Sequence, residues 1–327
     1  MNRDTLWESL TAFSETYTCY SSAVATWAAH DRADWPSAVN PGLTLTVLDA
    51  GEGLFGFAHF PPRLRPRLGL VRTGVEGPGT DAVDGVLAEL ERSGRVIVAG
   101  DGFRLPWHVA HGRRHVPHWY VLSGTAEQLE AIDPFACRNE LGVQRAARVP
   151  LARAELAELL VGLPGDDPVL ALRERFALGD DRDPPSGGCQ WFVAGAVTDS
   201  RAPAGAEGPA AALALARHFR EHGQDPDAYR QMDDIWSIAR HRAFLARHAT
   251  AVAARTADEA LAAWVREHGE TLAKRWGHMA PLLMQATLAL DAGRAASTSV
   301  PDMLEDLAGR EQATSQAFPS RLDAGSI

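Results

Sequence analysis

The strongest constraint on the fold is a change in pattern near residue 150. Before it, short runs rich in β-branched or aromatic residues alternate with turns: residues 43–48 (LTLTVL), 96–99 (VIVA) and 119–122 (WYVL), each bounded nearby by Gly or Pro. After it the chain is alanine-rich with helical spacing. Pro209 opens a run that ends at Gly223, and Ile235, Ile238, Leu245 and Ala249 fall on one helical face. Thr256 and Glu259 read as a capping box, with Leu261, Trp264, Val265 and Leu272 as the stripe behind it. This predicts an α+β protein with an antiparallel sheet and a helical C-terminal region. At 327 residues the chain is long enough for two cores. The boundary is expected at residue 150, giving units 1–150 and 151–327, with a frayed, disordered tail beyond about Gln312.

Lys and Arg number 32 against 42 acidic residues, and Lys274 is the only lysine. A net charge of −10 argues against nucleic acid or an anionic membrane surface as a partner. No apolar run has the length of a membrane span, and residues 1–10 carry Arg3, Asp4 and Glu8 where a signal peptide would be apolar. Cys19, Cys137 and Cys189 are too few and too scattered for a disulfide framework. A cytoplasmic protein with reduced thiols is the expectation.

Cys19 stands where a helix should begin. Ala23 and Trp27 follow at four-residue intervals, so a helix starting here buries that stripe and leaves the sulfur at its positive end. Unpaired N–H groups there favour the thiolate and can also hold an oxyanion. A partner comes from further along. If Gly124-Thr125-Ala126-Glu127 turns the chain and Ser123 faces Gln128, then His118 faces Asp133 across an antiparallel hairpin. An aspartate so placed orients an imidazole while the other ring nitrogen serves a nucleophile. His115 is the rival base. Asp101, at the end of the 96–99 run, either orients a base, holds a substrate amine, or ends a strand.

His108, His111, His115 and His118 are spaced three, four and three apart, the spacing of a zinc-binding helical face. Gly112 and Pro117 interrupt such a helix, and no carboxylate or cysteine joins the set, so no metal is expected.

Cys19, Gly53-Leu54-Phe55-Gly56-Phe57, Gly100-Asp101-Gly102-Phe103-Arg104-Leu105-Pro106-Trp107, His115-Val116-Pro117-His118 and Asp133-Pro134 occur in an order and spacing that resemble the butirosin biosynthesis protein H N-terminal family. The resemblance covers residues 15–140, and the helical remainder is similar to that family's C-terminal region. It implies a papain-like cysteine-peptidase fold related to the C39-type peptidases. The implied activity is acyl transfer from a carrier-protein thioester to a small-molecule amine in natural-product biosynthesis. Cys19 then matches the nucleophile, His118 the general base and Asp133 the orienting acid. No cofactor is implied beyond the phosphopantetheine arm of the acyl-carrier protein. Residues 11–18 lack the glutamine that papain-like enzymes place upstream of the cysteine, leaving Ser14, Thr16, Thr18 or backbone N–H groups to hold the oxyanion. A cysteine hydrolase with the same triad is the alternative.

An acidic protein that engages an acidic carrier needs a local positive patch. Arg63, Arg65 and Arg67, with Arg72 beyond, supply one in a segment without acids. Trp236, Trp264 and Trp276 of the helical half are candidates for shaping the acceptor pocket.

Overall fold

The computed structural model describes residues 2–40, 42–58, 68–75, 80–164, 167–176, 188–195 and 205–319. Arg63, Arg65 and Arg67 lie outside the described residues. In chain order the main elements begin with α1 (Arg3–Thr11), α2 (Cys19–Asp31), α3 (Trp35–Val39), β1 (Thr46–Gly51), β2 (Leu54–Ala58), β3 (Leu70–Val75) and α4 (Thr80–Ser93). Then come β4 (Arg95–Asp101), β5 (Pro117–Thr125), β6 (Gln128–Asp133), β7 (Cys137–Asn139), β8 (Gly142–Gln144) and β9 (Ala147–Leu151). Two short helices, α5 (Leu156–Leu159) and α6 (Pro168–Phe176), precede β10 (Cys189–Ala194) and β11 (Ala206–Glu207). Helices α7 (Pro209–His222), α8 (Met232–Thr256), α9 (Glu259–Trp264), α10 (Glu270–Gly277), α11 (Met279–Asp291) and α12 (Ser299–Gln316) complete the chain.

The protein is a mixture of helix and antiparallel sheet, an α+β fold. Its two compact units are interleaved in sequence and do not divide at residue 150. One comprises Met1–Val39, Arg63–Glu174 and Arg182–Ser200; the other comprises Asn40–Pro62, Arg175–Asp181 and Arg201–Ile327. Three strands account for the discrepancy. β10 pairs with β3 and β4 and so belongs to the sheet built before residue 150, while β1 pairs with β2 on one side and with β11 of the helical unit on the other. Composition reports local preference, and strand pairing is non-local.

In the first unit six antiparallel strands run in the order β3-β10-β4-β5-β6-β9. Val96, Val98, Tyr120 and Leu122 share a core with Ala82, Val86 and Leu90 of α4. Trp119, on the opposite face of β5, is met edge-on by Tyr20 of α2 at 5.3 Å. Both sides of the sheet are therefore covered. That explains why β4 is buried along its whole length and reads as a continuous apolar run rather than an alternating one.

The second unit packs α7 and α8 with α10, α11 and α12 over the β11-β1-β2 sheet, around Leu215, Ile235, Ile238, Leu283 and Leu304. Two boundary expectations need correcting. The helix after Thr256 is capped by Asp258, which accepts from the Leu261 N–H at 3.0 Å, because α8 runs through Thr256 itself. The chain beyond Gln312 is also not a tail at that point: α12 continues to Gln316, and Phe318 packs edge-on against Trp264. Trp264 and Trp276 are buried in this unit's own core, and the Trp276 indole donates to Glu311 at 2.7 Å. They brace that core rather than lining an acceptor pocket. No helix among the described residues is long and apolar enough to cross a membrane.

Candidate active site

Local sequence places the sulfur. Thr18 caps α2, its hydroxyl accepting from the Ser21 N–H at 3.1 Å while Ser21 Oγ accepts from the Thr18 N–H at 2.9 Å. Cys19 is consequently the first helical residue. The Ser21 and Ser22 amides are taken by Thr18, the latter through its carbonyl at 3.0 Å. The Cys19 N–H has no acceptor within the helix, as the geometry of a helix start requires.

The hairpin supplies the other two groups in a register different from the one expected. Thr125 pairs with Gln128 and Ser123 with Glu130, so the loop shrinks to Ala126 and Glu127 and the ladder slips by two residues. Gly124, expected in the turn, pairs with Leu129 in the strand at φ +115°. A slip of two leaves every side chain on its original face. His118 now lies diagonal to Asp133 rather than opposite it, and an imidazole spans that diagonal. His118 Nε2 donates to Asp133 Oδ2 at 2.8 Å. Phe135, just past the end of β6, brings its ring centroid to 5.7 Å from that of His118. Beyond the hairpin, the Ala136 N–H donates to the Ser14 carbonyl at 3.2 Å, tying the segment after Asp133 to the approach to Cys19.

His118 is 1% exposed and Asp133 is wholly buried. Burial alone lowers the histidine's pKa. Asp133 outweighs it through charge and hydrogen bond, and a hydrogen bond and electrostatic attraction to Cys19 add to it, so that His118 is pushed up to about 10. Nε2 is committed to the carboxylate, which leaves Nδ1 for the thiol. The Cys19–His118–Asp133 chain expected from sequence is therefore assembled, with the imidazole held in its charged form.

Three residues that sequence reasoning did not assign to the triad complete the surroundings. The Trp107 indole N–H donates to Asp133 Oδ2 at 3.1 Å, and the Phe135 N–H donates to Oδ1 at 3.2 Å, so both carboxylate oxygens are engaged. The ring of His108 lies 4.2 Å from that of His118. Burial, aided by the charge of His118, pushes His108 down to about 2. It is neutral, and the Ala110 N–H donating to Nδ1 at 3.1 Å leaves the proton on Nε2. Trp107 closes the Gly100–Trp107 motif, but only the turn that carries it brings it to Asp133.

His115 does not compete for Asp133. It bonds Asp101, which is fully buried, so both histidine candidates have a carboxylate of their own. The segment holding His108, His111 and His115 is a succession of turns, so the four histidines never share a helical face. Among the described residues no group of three or more His, Cys, Asp or Glu side chains is placed to hold a metal ion. Of the upstream hydroxyls, Thr16 donates to the Phe13 carbonyl at 2.8 Å and Thr18 is spent on its cap. Burial pushes Cys189 up to about 12, the state of an unreactive thiol. No family model and no curated protein matches this sequence.

Proposed function

We propose that the protein is a cysteine-dependent acyltransferase on a papain-like scaffold. It moves an acyl or aminoacyl group from an acyl-carrier-protein thioester to a small-molecule amine in natural-product biosynthesis. The observation that carries this reading is the pairing of a helix-start cysteine with an imidazolium fixed by a buried aspartate. The Cys19 thiolate attacks the thioester carbonyl, and the departing phosphopantetheine thiolate takes the proton from His118. The acyl-enzyme then meets an amine, the C–N bond forms, the C–S bond breaks, and His118 regains a proton. Exchange between thioesters is nearly isoenergetic, so acylation needs mainly positioning and oxyanion stabilisation. The Cys19 N–H, which has no acceptor within the helix, is a donor for the oxyanion, while the Thr16 and Thr18 hydroxyls are engaged elsewhere.

The proposed carrier partner is acidic, and Arg63, Arg65 and Arg67 would meet it. Reversing the charge at Arg65 and Arg67 should raise KM for the carrier-bound donor and leave a small thioester mimic unaffected; equal losses on both refute that role.

The test is the intact mass of the protein after incubation with a panel of acylated carrier proteins. An acyl adduct that is absent in Cys19→Ala, and is discharged faster when an amine is added, is the expected result. An adduct that water discharges as fast as amines do makes the protein a hydrolase. No adduct with any donor ends the proposal.

A further inference from the structure

The end of the sheet that carries His118 holds a second imidazole–carboxylate pair, which acylation leaves unused. Asp101 closes β4 and is fully buried. Its Oδ1 accepts from the N–H groups of Phe103 (3.0 Å) and Val116 (3.3 Å), and its Oδ2 accepts from His115 Nδ1 at 2.5 Å. The His115 ring also lies flat on Phe103, with centroids 4.4 Å apart and planes 19° from parallel. One contact fixes the plane of the ring and the other its direction, so Nε2 is the nitrogen left available on a side chain 43% exposed. The pair is close to the proposed chemistry. Gly100, next to Asp101, is opposite His118 in the ladder, and His115 stands three positions before His118, a backbone span of at most about 11 Å.

Building on the acyl-transfer reading, we infer that His115, oriented by Asp101, takes the first proton from an acceptor that binds as a primary ammonium ion. Proton balance calls for a second base. When the donor's thiolate leaves with the His118 proton, the acyl-enzyme holds a neutral His118. An ammonium nitrogen must lose two protons to become an amide nitrogen. One passes to His118 as the C–N bond forms and the C–S bond breaks, which restores the imidazolium beside the Cys19 thiolate. The other must leave beforehand, because an ammonium has no lone pair with which to attack. His115 Nε2 accepts it, Asp101 stabilises the resulting imidazolium, and the half-exposed ring passes the proton to water.

Two amines separate this role from a structural one. Ethanolamine is a cation near neutral pH and methoxyamine is mostly neutral, so only the first needs the extra deprotonation. With the acyl thioester of N-acetylcysteamine as donor, His115→Gln should form the acyl-enzyme at the wild-type rate. Transfer to ethanolamine should slow by about 100-fold or more, and transfer to methoxyamine by less than about threefold. The ethanolamine defect should also shrink as pH rises and the free amine accumulates. Equal slowing with both amines, no slowing with either, or loss of acylation in His115→Gln overturns the inference while the acyl-enzyme stands. Absence of an adduct in the wild-type protein removes the acyl-transfer reading itself, and this inference with it.

Discussion

At the residue scale, the decisive quantity is the charge on one buried imidazole. His118 keeps its proton because Asp133 is paired with it out of contact with water, and Trp107 and the Phe135 amide hold that carboxylate in place. Asp133→Asn keeps the shape and removes the charge. Turnover should fall by about 10²–10⁴-fold with the fold retained, as measured by acylation kinetics beside a thermal melt. The two adjoining histidines also set opposite limbs of the stability profile. His118 is raised from 6.5 to about 10, so its contribution is complete below pH 6.5 and is lost as pH climbs through about 10. His108 is depressed from 6.5 to about 2, so its contribution is present above pH 6.5 and is lost as the medium is acidified below that value. Urea melts across pH should therefore show His108→Asn losing one proton's worth of slope on the acid limb, and His118→Asn the same on the alkaline limb. An unaltered acid limb in His108→Asn would contradict the assigned neutral state.

At the scale of elements, a helix start and a hairpin register deliver the site. Thr18→Ala removes the half of the reciprocal cap that its hydroxyl makes with the Ser21 N–H, which should cost about 1 kcal/mol of stability. It should also fray the turn that carries Cys19, so acylation slows along with the fall in Tm. The hairpin is more sensitive. A Cβ at Gly124 would lie 2.0 Å from the Gln128 carbonyl oxygen at a φ of +115°, so Gly124→Val cannot keep the observed ladder. It should lower Tm and abolish acylation together, because any new register must relocate Asp133; full activity in Gly124→Val would show that the register does not position the triad. The helix start at Cys19 was readable from the four-residue stripe of Ala23 and Trp27, whereas the Thr18–Ser21 cap that fixes it emerged only in the structure. The shared face of His118 and Asp133 was readable because strand side chains repeat every two residues. The register was not, because Gly124 looks like a turn residue and only the neighbouring pairings show it inside the strand.

At the scale of the whole molecule, each unit carries its own stabilising core, and the helical one contains a buried ion pair. Arg242 and Glu311, 1% and 2% exposed, meet at 2.7 Å, with Trp276 donating to the same carboxylate oxygen. Glu311→Ala strands a buried guanidinium, and urea melts should register a loss of about 3–5 kcal/mol. Replacing both partners, Arg242→Met with Glu311→Leu, should recover most of that loss. If the double variant is no more stable than the single, the penalty does not arise from an unpaired charge. The interleaving of the units was hidden for a related reason: nothing within residues 189–194 reveals that their partners are residues 70–75 and 97–99.

Local patterns in the chain were enough to specify helices and strands, to start a helix at Cys19, and to put an imidazole and a carboxylate on one face of a hairpin. Those are short-range consequences of capping, side-chain periodicity and apolar spacing. Tertiary structure alone decided the strand register, the split into interleaved units, and the roles of Trp107, His108 and the Asp101–His115 pair. Each of these depends on a segment without periodicity, or on a partner far away in sequence, whose position is set only when the sheet closes.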